Sequence, residues 1–358
     1  MLLVIIFWFV GWILFFKPRV IPFNLKCRVD TDISVIIPAR NEEENIGKLL
    51  KSLKEQTQKI SEIIVVDDNS SDRTAEIAKE MGGKVIKLRE EPPPGWLGKA
   101  WACWNGFLQS RGRVIIFLDA DVTLSFDAIR SLVCLQRKKK GLISVWPYHQ
   151  IGNFSESLSL LFNLIALFPM RISGIFKNIF KPMGAFGPCI VTTREDYHRT
   201  GGHMSVRGSV VEDVMLGKIY LKNGIPVYNF LGWKMVSFRM YPKGIHSIVE
   251  GWGKNIAMGL SLLDFVSFIL LFLWITGAIS AGFFLNSKST GFFRSLILYF
   301  LYSFQIFLLS KKIGSFSLIS SFLFPLHFIF FLFIFFFSFF QTYILKRVIW
   351  KGRRVRIG

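Results

Sequence analysis

Asp119-Ala120-Asp121 closes the apolar run Val114–Leu118. The run is short, β-branched and preceded by Gly112, so it reads as a buried parallel strand. Residues two apart share a face of a strand, so Asp119 and Asp121 are expected to point the same way at its carboxyl end. In open α/β sheets ligands bind at that end. Two carboxylates held together repel unless a cation sits between them, and a hard divalent ion that also grips phosphate oxygens suits the position. Two solvated loop aspartates are the alternative.

Four further clusters flank this triplet. Ile36–Asn45, IIPARNEEEN, ends a strand and opens a helix through a polar, acidic turn, where such sheets commonly meet a nucleotide. Asp67 and Asp68 end the next strand in IIVVDDNSSDRT, and a carboxylate there can accept hydrogen bonds from a ribose or a uracil N–H. In EPPPGWLGKAWACWNG, Lys99 begins a helix. A lysine there opposes the helix dipole, so an anion such as a diphosphate is expected beside it. In GSVVEDVMLG, Glu212 and Asp213 precede a helical stretch and either cap it or supply a general base to an acceptor hydroxyl.

The elements that must position these residues follow from periodicity. Strands are expected near Ile33–Ile37, Glu62–Val66, Lys84–Leu88, Val114–Leu118 and Leu142–Trp146. Helices fit Glu43–Glu55, Asp72–Met81, Gly98–Ser110 and Phe126–Lys138. This alternation predicts an α/β fold with a mostly parallel sheet covered on both faces. Residues 158–170 are apolar almost all round and read either as a buried core helix or as one lying in a membrane interface.

Composition points to a membrane. The 358 residues are 51% hydrophobic with 38 Phe, and the net charge is +20. No basic stripe interleaves with stacking aromatics, so nucleic acid is not an expected partner. Residues 1–16 are uncharged and apolar and are followed by Lys17 and Arg19, which predicts an N-terminal transmembrane anchor over residues 1–20 with its basic flank in the cytoplasm. Residues 31–256 form the expected catalytic domain, and a membrane region occupies 262–345, with spans about 265–285 and 322–345. The 15-residue run 295–309 is a span or an interfacial segment; the interfacial layout keeps more positive charge in the cytoplasm. A tail with six basic residues fills 346–358. The four cysteines are scattered with no C-x-x-C, so neither zinc nor a disulfide framework is indicated and reduced, buried thiols are expected.

In this order and spacing, the five clusters resemble the family 2 inverting glycosyltransferases of the GT-A fold, a Rossmann-like sheet, over residues 33–256. The resemblance implies a UDP-sugar donor and Mg²⁺ or Mn²⁺. It matches Pro38, Arg40, Glu42 and Asp68 to nucleotide contacts, Asp119 and Asp121 to the D-x-D, and Asp213 to the catalytic base. Asp67, Lys99 and Asp119 join the nucleotide-sugar set. Gly184–His203, Phe238–Asn255 and the tail W-K-G-R at Trp350–Arg353 are similar to the carotenoid-acid branch of bacterial glycosyltransferases. The chain departs from the wider family at Q-x-x-R-W, where GWGKN at Gly251–Asn255 stands instead. Trp252 then walls the acceptor site, Lys254 meets the diphosphate, and Glu212 and His203 fall on the acceptor side, although a loop histidine is more often structural.

The resulting expectation is a multi-pass cell-membrane enzyme with a cytoplasmic catalytic domain that transfers a sugar, glucose in the first instance, to a lipid carboxylate or alcohol. A polyisoprenyl-phosphate or polysaccharide-type transferase and a non-catalytic membrane scaffold are the alternatives.

Overall fold

Burial on both faces of the central strands explains their unbroken apolar runs. Val35 and Ile37 of strand β1 (Ile33–Ala39) join one core and Ile36 joins the other. Ile116 and Leu118 of β4 (Val114–Leu118) divide in the same way from Ile115 and Phe117. The structure is a computed structural model of the full chain. It describes all residues except 24, 26, 28–30, 176, 284–291, 346, 351–352 and 357–358, and not the side chains of 254, 255, 257, 258, 283, 347–350 and 353–356. The chain divides into two units: Arg19–Tyr148 with Lys181–Phe238, and Met1–Pro18 with His149–Phe180 and Arg239–Gly358.

The first unit carries a seven-stranded sheet of order β3-β2-β1-β4-β8-β6-β9. Its other strands are β2 (Glu62–Asp67), β3 (Lys84–Lys87), β6 (Leu142–Trp146), β8 (Cys189–Thr193) and β9 (Val227–Leu231). Helices α2 (Ile46–Lys54), α3 (Thr74–Glu80), α4 (Gly98–Leu108) and α5 (Ala128–Lys139) follow the strands, close to the expected positions. β8 was not anticipated: it inserts antiparallel between β4 and β6, pairing Leu118 with Cys189. The register of β1 with β4 stops at Ile36↔Phe117, so Pro38 lies where no β4 neighbour needs its missing N–H. α4 lies tight on β1 because Gly106 leaves no Cβ to meet Ile36.

Cys27 and Cys134 are joined as a disulfide, with Cα atoms 5.8 Å apart, against the expectation of reduced thiols. A sequence separation of 107 hides a proximity that only the fold creates. Cys103 and Cys189 are free and buried, as expected.

The second unit is helical. α11 (Phe265–Phe283), α12 (Phe292–Ser310) and α14 (Phe324–Phe339, continued by a π turn to Ile344) are each long and apolar enough to cross a membrane. α12 has 19 residues, longer than the 15-residue apolar run because it takes in Phe292, Phe293, Arg294 and Ser310. α1 (Leu2–Phe15) has 14 residues, about 21 Å, shorter than a hydrocarbon core of about 30 Å. Polar contacts fix it to α12: Trp8 Nε1 donates to the Leu301 carbonyl (3.0 Å), Gln305 Nε2 to the Trp8 carbonyl (2.8 Å) and Tyr302 Oη to the Val4 carbonyl (3.2 Å).

Residues 149–180 and 239–256, read from sequence with the catalytic domain, group instead with these helices. α7 (Leu160–Leu167) is buried along all but Ala166, and α10 (Ile245–Ser261) packs on α14. Within the basic tail, β11 (Arg347–Trp350) pairs with β12 (Arg353–Arg356) in antiparallel register.

Candidate active site

β4 ends at Leu118, and the aspartate pair sits in the turn that follows, where the Val122 N–H donates to the Asp119 carbonyl (3.2 Å). The strand therefore stops one residue before the pair that was expected to ride on it. Alternation still separates Ala120, packed in the β1–α2 core, from Asp119, which turns toward α4.

Lys99, the second residue of α4, gathers three carboxylates. Its Nζ lies 2.9 Å from Asp119 Oδ1, 3.5 Å from Asp213 Oδ2 and 3.6 Å from Glu212 Oε1. The anion needed beside a lysine at a helix N-terminus is thus supplied by the protein itself. Burial works against the charge on Lys99, but the fields of Asp119, Asp213 and Glu212 outweigh it and hold its pKa well above the ordinary value. Glu212 and Asp213 occupy the first turn of α9 (Glu212–Lys222), where the positive end of the helix dipole favours them. Burial, then the neighbouring Glu212, pushes the Asp213 carboxyl up to about 7, with Lys99 opposing. Asp213 Oδ1 is buried and accepts no hydrogen bond among the described residues.

The loop Gly184–Pro188 completes this cluster, and sequence reasoning gave it no chemical role. The Asp119 N–H donates to the Pro188 carbonyl (3.0 Å), Asn229 Nδ2 donates to the Gly184 carbonyl (2.9 Å), and the Phe186 N–H donates to Ser144 Oγ (2.6 Å). A Cβ at Gly187 would stand 2.7 Å from Asp213 Oδ1, and one at Gly184 would stand 2.7 Å from Val214 Cα. Both glycines are needed for space, so that the loop can lie directly on the first turn of α9. Their spacing, G-x-x-G just before a strand, was the available signal.

The other sequence-derived residues fall into two groups. At the ends of β1 and β2, Arg40 Nη1 donates to the Asp68 carbonyl (2.9 Å) and approaches Asp68 Oδ2 (3.9 Å). Asp67 Oδ1 accepts from the Ser70 N–H (3.2 Å), and Glu42 Oε2 accepts from Asn45 Nδ2 (2.8 Å). These residues lie at the carboxyl edge of β1 and β2, the edge at which β4 delivers Asp119. By contrast, His203 is 1% exposed. Its Nδ1 shares a hydrogen bond with Tyr197 Oη (2.8 Å), its ring stands against Phe117, and burial followed by the Lys99 charge lowers its pKa to about 3. These are the surroundings of a core histidine. In the helical unit, Trp252 stacks on Phe162 (4.8 Å) and donates to Ser159 Oγ (3.1 Å), which ties α10 to α7. The Lys254 side chain lies outside the described residues.

Among the described residues, no three or more His, Cys, Asp or Glu side chains are arranged to hold a metal by themselves. Asp119 and Asp121 offer hard carboxylate donors in a partly exposed turn. That donor set fits Mg²⁺ or Mn²⁺, which commonly take one or two carboxylates and complete their shell with water and substrate phosphates.

A mostly parallel sheet with an acidic turn after its fourth strand, and a half-buried acid at the start of a later helix, has the arrangement of a GT-A fold. The model of "Glycosyl transferase family 2" matches residues 34–201. The 4,4'-diaponeurosporenoate glycosyltransferase of Staphylococcus aureus strain USA300 is 35% identical over 349 residues, covering 96% of this chain and 92% of that one. The protein of the same name from strain MRSA252 is 36% identical over 351 residues, with the same coverage. The chain belongs to glycosyl transferase family 2. Its fold is shared with the mannosyltransferase PcManGT of Pyrobaculum calidifontis, solved with GDP-Man and Mn²⁺, at a TM-score of 0.53 and 16% identity over 90% of this chain and 94% of that one.

Proposed function

We propose that this glycosyltransferase moves a sugar, glucose in the first instance, with inversion from a UDP-sugar to a lipid acceptor, its catalytic unit facing the cytoplasm. The observation that carries the mechanism is Asp213 Oδ1, a buried carboxylate oxygen without a hydrogen-bond partner among the described residues, beside a lysine that holds its other oxygen. The Asp213 side chain is 20% exposed, so an acceptor can reach the carboxyl, and a carboxyl near pH 7 is well matched to taking a proton from an attacking hydroxyl. Pro38, Arg40, Glu42, Asp67 and Asp68 would hold the nucleotide, and Lys99 the diphosphate. A divalent ion held by Asp119 and Asp121 would neutralise charge growing on the leaving diphosphate. The placement is supported by Lys17 and Arg19 after α1, which the positive-inside rule puts in the cytoplasm.

The acceptor poses a chemical choice. The relatives are named for diaponeurosporenoate, a carboxylate, which is ionised at pH 7 and needs no base. A buried base beside Lys99 is what a hydroxyl acceptor requires. Asp213→Asn separates the two: a loss of roughly 10²-fold or more in turnover supports a hydroxyl, and near-normal turnover supports a carboxylate. Membranes incubated with labelled UDP-sugars identify the product by mass spectrometry. Labelled polymer in place of a glycolipid would overturn the single-transfer reading.

A further inference from the structure

Lys99 touches both the donor-side carboxylate, Asp119, and the acceptor-side pair, Glu212 and Asp213. Its contacts are uneven. It sits on Asp119 at 2.9 and 3.2 Å through the two oxygens and reaches α9 at 3.5 and 3.6 Å. Three carboxylates around one ammonium leave an excess of negative charge in a mostly buried space. An anionic diphosphate entering there, alongside the divalent ion proposed at Asp119 and Asp121, competes with α9 for the only side-chain cation in the group.

We propose that Lys99 is a coupling residue which exchanges partners between Asp213 and the donor's diphosphate, so that donor binding releases the base for the acceptor. This rests on the UDP-sugar reading above. In the structure as it stands, Lys99 engages Asp213 Oδ2 and shields the carboxylate from a proton-bearing acceptor. When a diphosphate takes the ammonium, Asp213 loses its counter-charge and becomes the stronger base. The donor therefore has to arrive first, and an acceptor entering alone meets a paired base. Neutralising Asp213 removes the competition and frees Lys99 for phosphate. Charge removal near a diphosphate also helps in a general way, so the diagnostic quantity is how far the gain depends on Lys99.

The test is a double-mutant cycle on the full-length protein in detergent, read as UDP affinity by calorimetry at fixed Mn²⁺. Asp213→Asn is expected to tighten UDP about tenfold when Lys99 is present. In Lys99→Gln the same change is expected to alter affinity less than twofold, and Lys99→Arg is expected to restore the coupling. A thermal melt of each protein establishes that it is folded. Equal tightening with and without Lys99 overturns the exchange while leaving the donor assignment intact. If the folded wild-type protein binds no UDP, the donor assignment fails and the exchange with it.

Discussion

Gly187→Ala offers a direct geometric test of whether Asp213 is the working base. The Gly184–Pro188 loop is fixed from three sides, by Asp119, Ser144 and Asn229. A methyl group at Gly187 would stand 2.7 Å from Asp213 Oδ1 and nearer still to Cγ and Oδ2. Ordinary contact needs about 3.5 Å, so the carboxylate has to retreat by on the order of 1 Å. The loop cannot give way easily, because Ser144 on β6 and Asn229 on β9 belong to the central sheet and Asp119 directly follows β4. A misplacement of that size at a catalytic group costs about 10²-fold in rate. The expected result is a drop of that order in kcat with a small change in the KM for donor, because the nucleotide contacts lie on β1 and β2. The assay is transfer of labelled sugar into lipid, with UDP affinity measured beside it. Wild-type turnover in a folded Gly187→Ala protein would refute the assignment of Asp213 as a base held rigidly by this loop.

Three further outcomes follow from the same geometry. For the free enzyme, kcat/KM should rise with pH through about 7 as Asp213 loses its proton, and Glu212→Gln, which removes a neighbouring negative charge, should move that limb to lower pH; an unmoved limb assigns the titration elsewhere. His203 is held neutral to about pH 3, so below its ordinary 6.5 the unfolded chain takes up a proton that the folded one does not. Stability is then lost as pH falls from 6.5 toward 3, by ~2 kcal/mol at pH 5, and the fall in Tm between pH 7 and pH 5 should be smaller for His203→Phe than for the wild type. Finally, Cys27 and Cys134 are joined in the structure, and such a bond persists only away from a reducing compartment. A cytoplasmic catalytic unit predicts that both thiols are alkylated in intact cells and join on mild oxidation, whereas a pair protected from alkylation would place the unit on the other side of the membrane.

The fold of the first unit was legible because parallel strands buried on both faces write themselves as short β-branched runs, and each such run from Ile33 to Trp146 became a strand. β8 escaped because Cys189–Thr193, CIVTT, turns polar at Thr192 after three apolar residues, and its antiparallel insertion beside β4 is a matter of tertiary pairing. The membrane helices were legible by length and composition; their grouping with residues 149–180 and 239–256 was not, because an apolar helix such as Leu160–Leu167 carries no mark of which apolar partner it will choose.

The site shows the same division between residue type and relation. Asp119, Lys99, Glu212 and Asp213 were each visible as residues with chemistry. That Lys99 would be enclosed by the other three was not, because Asp213 lies 114 positions away and reaches it only through the turn of α9. What brings them together is mainly the absence of side chains at Gly184 and Gly187 and the pins on the loop between them. A lysine at a helix start suggested an external anion to balance it; the fold balances it internally. An external diphosphate must then displace a carboxylate rather than fill a void, and for that reason donor affinity should depend on an acid whose chemistry belongs to the acceptor.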